Sequence, residues 1–257
     1  MANTVGTRRI DALLIYIGTN DVEVASTLEN LVTGDNPILG TGNATQARLE
    51  AKQAAADRLA DLQNRFDDLD TALSALNIGQ VYLTEYPSGL FDDTNGNAAA
   101  GCEVFSGPRL NLSRRDAELV KYLAQRLNTA IAAAAQRHGW IFVGGIDAEF
   151  AGHGFCTPAD HRYFIQTRES LLTQGDTEGT IHPNSIGHTK IGEFVAADVL
   201  RNTIRPGRPD GTHAPQGPMA PVIAPVNPGT AGIPNGGRRV RTSRSRQSAP
   251  SRAATGQ

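Results

Sequence analysis

Two short segments hold the residues whose types and spacing could do chemistry. Gly18-Thr19-Asn20-Asp21 directly follows the apolar run over residues 10–17, and His182-Pro183-Asn184-Ser185-Ile186-Gly187-His188 directly precedes the last amphipathic stretch. A carboxamide at the end of a strand can donate a hydrogen bond to a developing oxyanion, and an imidazole at a loop-to-helix junction can act as a general base. Each segment also has a plainer reading. Asn-Asp after a strand is ordinary turn chemistry, and His-Pro-Asn can simply start a helix with Asn184 or Ser185 as its cap.

The elements that must position these residues alternate in type. Residues 10–17 (IDALLIYI) form a nearly continuous apolar run, the pattern of a parallel strand buried on both faces. Residues 47–76 carry Leu59, Leu62, Phe66, Leu69, Leu73 and Leu76 at helical spacing, with Gly79 placed to end the helix. A second strand is expected over 81–83, followed by a loop rich in Gly, Asn and Asp that contains Cys102. Ser113 caps the next helix with Asp116 as an acidic partner three residues on, Leu119, Val120, Leu123, Leu127 and Ile131 form its inner face, and Gly139 ends it. A third strand over 140–143 and a final helix over 185–200 complete an α/β pattern with a parallel sheet and right-handed crossovers. In such sheets ligands bind at the carboxyl ends of the strands, where Asn20 falls.

Composition narrows the function classes. With 39% apolar residues, 19% charged and a net charge of −2, the 257-residue chain has the balance of an ordinary globular protein. No apolar run approaches the ~20 residues of a membrane-spanning helix. Charge is unevenly divided: residues 205–257 hold eight Arg and one Asp, or +7, which leaves −9 (−2 less +7) for residues 1–204. The tail also holds nine of the 14 Pro and no aromatic residue, so we expect a Pro/Gly/Arg-rich disordered extension beyond one folded domain over 1–204. Its Arg/Ser stretch lacks aromatics to stack on bases, which argues against nucleic acid as a partner. Two cysteines, neither in a CxxC spacing, offer no zinc or thioredoxin-like site. No export signal is read in the opening residues, where the apolar run lacks a small-residue cleavage site.

Taken together and in this order, the two segments resemble the SGNH/GDSL hydrolases. Gly18, Asn20 and Asp21 match the family's Gly-x-Asn-Asp block, and His182-Pro183 matches its His block before the last helix. The stretches Gly152-His153-Gly154-Phe155-Cys156 and Gln174-Gly175-Asp176 are similar to bacterial members. The resemblance, over roughly residues 10–200, implies a three-layer flavodoxin-like sandwich and a serine esterase or lipase that needs no metal or organic cofactor. Asn20 would then serve the oxyanion hole, and His182 would activate a serine toward a small-molecule or lipid ester. It also implies an exported protein, in whose oxidising surroundings Cys102 and Cys156 would pair.

The match is incomplete. The family's Gly-Asp-Ser nucleophile block and its second, glycine-bearing block are absent from this sequence. Ser26, Ser74, Ser88, Ser106, Ser113, Ser170 and Ser185 lie in caps, helices or loops without that setting, and none is assigned as nucleophile. The family usually has Asp three residues before its His; here that residue is Gly179, with Asp176 and Glu178 nearby as candidates to orient the ring. In the family's 2-1-3-4-5 strand order, a sheet lacking its first strands leaves one edge of the strand over 10–17 open to a missing amino-terminal segment or a partner strand. The expectation is therefore an ester hydrolase that is inactive alone. The alternative is a non-catalytic binding module using the remnant pocket or the basic tail.

Overall fold

The computed structural model describes residues 6–34, 43–100, 102–103 and 111–203. The element order is β1 (Ile10–Ile15), α1 (Val24–Gly34), α2 (Ala44–Leu73), β2 (Ile78–Thr84), β3 (Cys102–Glu103), β4 (Asn111–Leu112), α3 (Arg114–His138), β5 (Ile141–Val143), α4 (Ile146–Phe150), α5 (Thr167–Thr173) and α6 (Ser185–Asn202). The main sheet is parallel and three-stranded in the order β1-β2-β5, with Leu14 opposite Tyr82 and Tyr82 opposite Ile141. A small antiparallel pair, β3 with β4, lies outside it.

Strand β2 is the middle strand, and its alternation divides the core. Tyr82 and Leu83 are both fully buried, but on opposite faces. Leu83 joins Leu62 and Phe66 of α2 and Leu127 and Ile131 of α3 in one cluster, whereas Tyr82 joins Phe150, Phe155 and Phe164, with Phe194 and Val195 of α6 packed against them. Helices on both faces of a parallel sheet make the expected three layers. No helix among the described residues is long and apolar enough to cross a membrane.

Local chemistry sets the boundaries. Ser113 and Asp116 form the expected capping box, and Gly139 closes α3 at φ 68°, a left-handed conformation that favours glycine. The buried Asp116 carboxylate also accepts from Arg48 Nε at 2.6 Å, which ties the start of α2 to the start of α3. Three helices, α1, α4 and α5, are additional to the sequence expectation. Gly79 does not end a helix: α2 stops at Leu73 with Ser74 as its cap, and Gly79 lies within β2, where a Cβ would come within 2.8 Å of the Asp11 carbonyl. The glycine is needed for the close approach of two strands, not for a helix end.

A second correction concerns β1. Its apolar run reads as doubly buried, but among the described strands β1 pairs only with β2, and Leu14, Tyr16 and Ile17 are 53%, 39% and 41% exposed. A face is covered by a helix layer and not by a neighbouring strand, and on the face of Leu14 α6 packs over β2 and β5. Two further expectations lie outside the described residues: the tail over 205–257, and the Cys102 side chain on which the pairing with Cys156 rests.

Candidate functional site

The segment after β1 turns sharply at the carboxyl end of the sheet. Gly18 has φ 123°, a backbone conformation that favours glycine, and a Cβ there would press on Leu127 Cδ1 at 3.2 Å. Successive amide-to-carbonyl bonds from Val22 to Gly18, Glu23 to Asn20 and Val24 to Thr19 wind the chain into α1. Asn20 is thereby left exposed at the turn, and Asp21 is drawn sideways to Arg65 of α2 at 2.8 Å.

The wall beside Asn20 is aromatic. Tyr16 and Tyr86 stack with ring centroids 4.1 Å apart, and the Thr19 hydroxyl donates to the Tyr86 hydroxyl at 3.4 Å. Burial pushes the Tyr86 hydroxyl above the ordinary phenol range, so it stays neutral. Tyr86 is fixed from behind by buried Asn128 of α3, which accepts from the Tyr86 amide at 2.9 Å and donates to its carbonyl at 2.7 Å. The preceding Glu85 carboxylate accepts from the Asp147 amide at 3.0 Å at the start of α4, and Asp147 in turn accepts from the Ser88 amide at 2.6 Å. Residues 85–88 are thus clamped on both sides by polar bonds, as buried backbone must be.

His182 arrives on a different part of the chain. The preceding Ile181 has φ 63°, a conformation that a β-branched residue adopts only under constraint. The constraint is visible: the Ile181 amide donates to the Ile165 carbonyl at 3.0 Å, and the Ile165 amide donates to the His182 carbonyl at 2.9 Å. Just beyond, Asn184 caps α6 by accepting from the Gly187 amide at 2.9 Å, while its own side-chain amide donates to the Arg162 carbonyl at 2.7 Å. Of the two cap residues the sequence left open, it is Asn184 that caps.

These pieces meet around one cavity of about 340 Å³. Asn20 and His182 both line it, with Tyr16, Tyr86 and Pro87 on one side and Leu59, Leu123 and Leu127 of α2 and α3 on another. No carboxylate, ammonium or guanidinium side chain lines it among the described residues. Asp176 and Glu178 are not among the lining residues: both are exposed, and the Asp176 carboxylate accepts from the Glu178 amide at 3.0 Å within its own turn. What reaches back toward His182 from this stretch is backbone, the His182 amide donating to the Gly179 carbonyl at 3.2 Å. An amide donor and an imidazole at the mouth of an apolar cavity suit acyl transfer, in which an oxyanion must be held and a proton moved while the rest of the substrate stays out of water.

The sequence did not reveal the Asn128 clamp, the Tyr16–Tyr86 wall or the constrained Ile181. Asn128 carries a readable sign, since a carboxamide adjoins the Leu127/Ile131 stripe of a helix. Ile181 carries none.

No protein-family model matches the chain, and no curated protein matches it. Among solved structures it is similar to a phospholipase A1 from Streptomyces albidoflavus NA297, at 21% identity and a TM-score of 0.52, over 72% of this chain and 68% of that one. It is also similar to an extracellular lipase from Streptomyces rimosus, at 22% identity and a TM-score of 0.56, over 76% of this chain and 72% of that one. The likeness shows that the chain shares the fold of these two proteins.

Proposed function

We propose that this domain carries the oxyanion donor and the general base of an SGNH-type hydrolase acting on carboxylic esters of small molecules or lipids. The observation that carries the reading is the convergence of Asn20 and His182 on one apolar cavity from opposite ends of the sequence. In this reading the His182 imidazole takes the proton of a serine hydroxyl as its oxygen bonds to the ester carbonyl carbon. The carbonyl oxygen, now anionic, accepts from the Asn20 side-chain amide. Return of the proton to the leaving alkoxide frees the alcohol, and water repeats the sequence on the acyl-serine.

No serine of this sequence stands in a Gly-Asp-Ser block. The proposal places the nucleophile on a strand added beside β1, whose outer edge pairs with no described strand and whose continuation, Tyr16, lines the cavity. A strand bound there ends within reach of the same space, so the chain by itself does not turn over. A Cys102–Cys156 disulfide belongs to the same reading, because an exported enzyme would meet oxidising conditions. Intact mass before and after reduction and alkylation tests that pairing.

The experiment for the function joins a strand bearing Gly-Asp-Ser to the amino end of the chain and follows release of a chromogenic short-chain ester. Hydrolysis should appear, vanish in His182→Ala, and fall about 10²- to 10³-fold in Asn20→Ala. Hydrolysis indifferent to both substitutions, or none at all from a folded product, would leave the cavity as a binding site only.

A further inference from the structure

We propose that Leu59 and Leu123 form the wall that sets how long a hydrocarbon chain this site accepts. The cavity holding Asn20 and His182 is not the only space along α2 and α3: a second groove of about 500 Å³ runs between the same two helices. Leu59 of α2 and Leu123 of α3 line both spaces, one leucine from each helix. Beyond them Ala56, Ala60, Ala130 and Ala133 add only single methyl groups, while Lys52, Arg126 and Arg137 also line the groove, with alkyl stems that can lie along a hydrocarbon and charged heads that can turn to water. Two flexible, half-buried leucines therefore stand between the space beside the imidazole and a second space that could take more chain.

The lining fixes the class of occupant. A cavity bounded by leucine, valine and aromatic side chains, with no ionic side chain among the described residues, favours a straight hydrocarbon over a sugar or a charged group. Leu59 and Leu123 are specificity-determining residues in this view, touching the far end of the chain and not the reacting atoms. The inference rests on the ester-hydrolase reading only for which end of the ligand faces His182, so its test reads binding instead of turnover.

The test is calorimetric titration of the full chain with free fatty acids from butyrate to palmitate. Affinity should rise about fourfold for each added methylene up to a break, and then level off. Leu59→Ala and Leu123→Ala should each move the break to longer chains, Leu123→Phe should move it to shorter ones, and the volume-conserving Leu123→Met should leave it in place. Melting curves establish that each variant is folded; if the alanine variants are not, the phenylalanine variant alone decides. A break that stays put when the wall is enlarged overturns the proposal, as does a wild-type chain that binds no fatty acid. An unmoved break with intact strand-dependent hydrolysis removes the wall and keeps the hydrolase. A shifted break without such hydrolysis does the reverse.

Discussion

The Ile165 amide donates to the carbonyl of His182 at 2.9 Å, while the Ile165 carbonyl accepts from the amide just before it, that of Ile181, at 3.0 Å. His182 is therefore delivered to the cavity by a two-bond clasp, and the cost of that delivery is the φ of 63° at Ile181. A left-handed conformation costs an ordinary residue roughly 1–2 kcal/mol, which glycine does not incur.

This reverses the usual order of two substitutions at position 181. Ile181→Ala gives up apolar burial and keeps the strain, whereas Ile181→Gly gives up the same burial and releases it. The glycine variant should be more stable than the alanine variant by about 1 kcal/mol, although glycine ordinarily ranks below alanine. Urea denaturation of the two variants measures the difference. Alanine above glycine would mean that the left-handed backbone at Ile181 is not held in solution.

Asn128 makes a second delivery, that of Tyr86. Removing its side chain leaves both the Tyr86 amide and the Tyr86 carbonyl without their partner in a buried setting. Each orphaned group costs about 1–3 kcal/mol, so Asn128→Ala should lose roughly 2–6 kcal/mol. Asn128→Asp keeps an acceptor for the amide but turns a carboxylate toward the carbonyl, and should not restore the loss. A loss below about 1 kcal/mol in Asn128→Ala, read from the urea midpoint, would show that water replaces the clamp.

Glu85 adds a pH dependence of known sign. Burial pushes its carboxyl above the usual carboxylate range, and the nearby Asp147 carboxylate pushes the same way, against the pull of the amides at Gly145, Ile146 and Asp147. The folded state then holds the proton more tightly than the unfolded chain, whose glutamate titrates near about 4.3. Its contribution to stability is complete below that value and is lost as pH rises through the higher folded pKa. Glu85→Gln removes the titration, so the stability of the variant minus that of the wild type should grow more favourable between about pH 4 and about pH 7. Denaturant midpoints at the two ends of that range decide it, and a difference that shrinks toward neutral pH contradicts the burial argument.

How much of this was legible in the sequence depends on how local the physics is. The Ser113–Asp116 capping box and Gly139 at its left-handed φ are decided within a few residues, and both were readable. So were Gly18, Asn20 and His182 as a pattern, because backbone geometry and donor type are written into single positions. Gly79 misled because two different demands, a helix end and a close strand approach, call for the same residue, and only the Asp11 carbonyl 2.8 Å from its absent Cβ tells them apart. Burial of residues 10–17 misled because apolar character states what a strand can bury, not whether a neighbour is there to bury it; Leu14 at 53% exposure is the result. The clasp at Ile165 pairs residues from separate segments, and no spacing rule anticipates it.

The last prediction concerns the chain by itself. In the proposed function Asn20 serves as oxyanion donor and His182 as base, but neither forms the acyl bond, and the proposed nucleophile lies on a strand that must be added beside β1. What such a site retains without its nucleophile is at most the effect of the hole and of binding, on the order of 10³ over water. With a single side-chain donor, Asn20, in that role, the retained effect should be smaller still. The purified chain should therefore hydrolyse an activated short-chain ester no faster than its own His182→Ala variant. Exposed imidazoles such as His188 contribute a slow background of their own, but that background survives the substitution. Initial rates of the two proteins on one chromogenic ester make the comparison, with a serine-directed phosphonate as an independent probe read by intact mass. If the rate collapses with His182 and the phosphonate labels one serine stoichiometrically, a nucleophile is already present among the serines of this sequence, and the open edge of β1 is not where the reaction is completed.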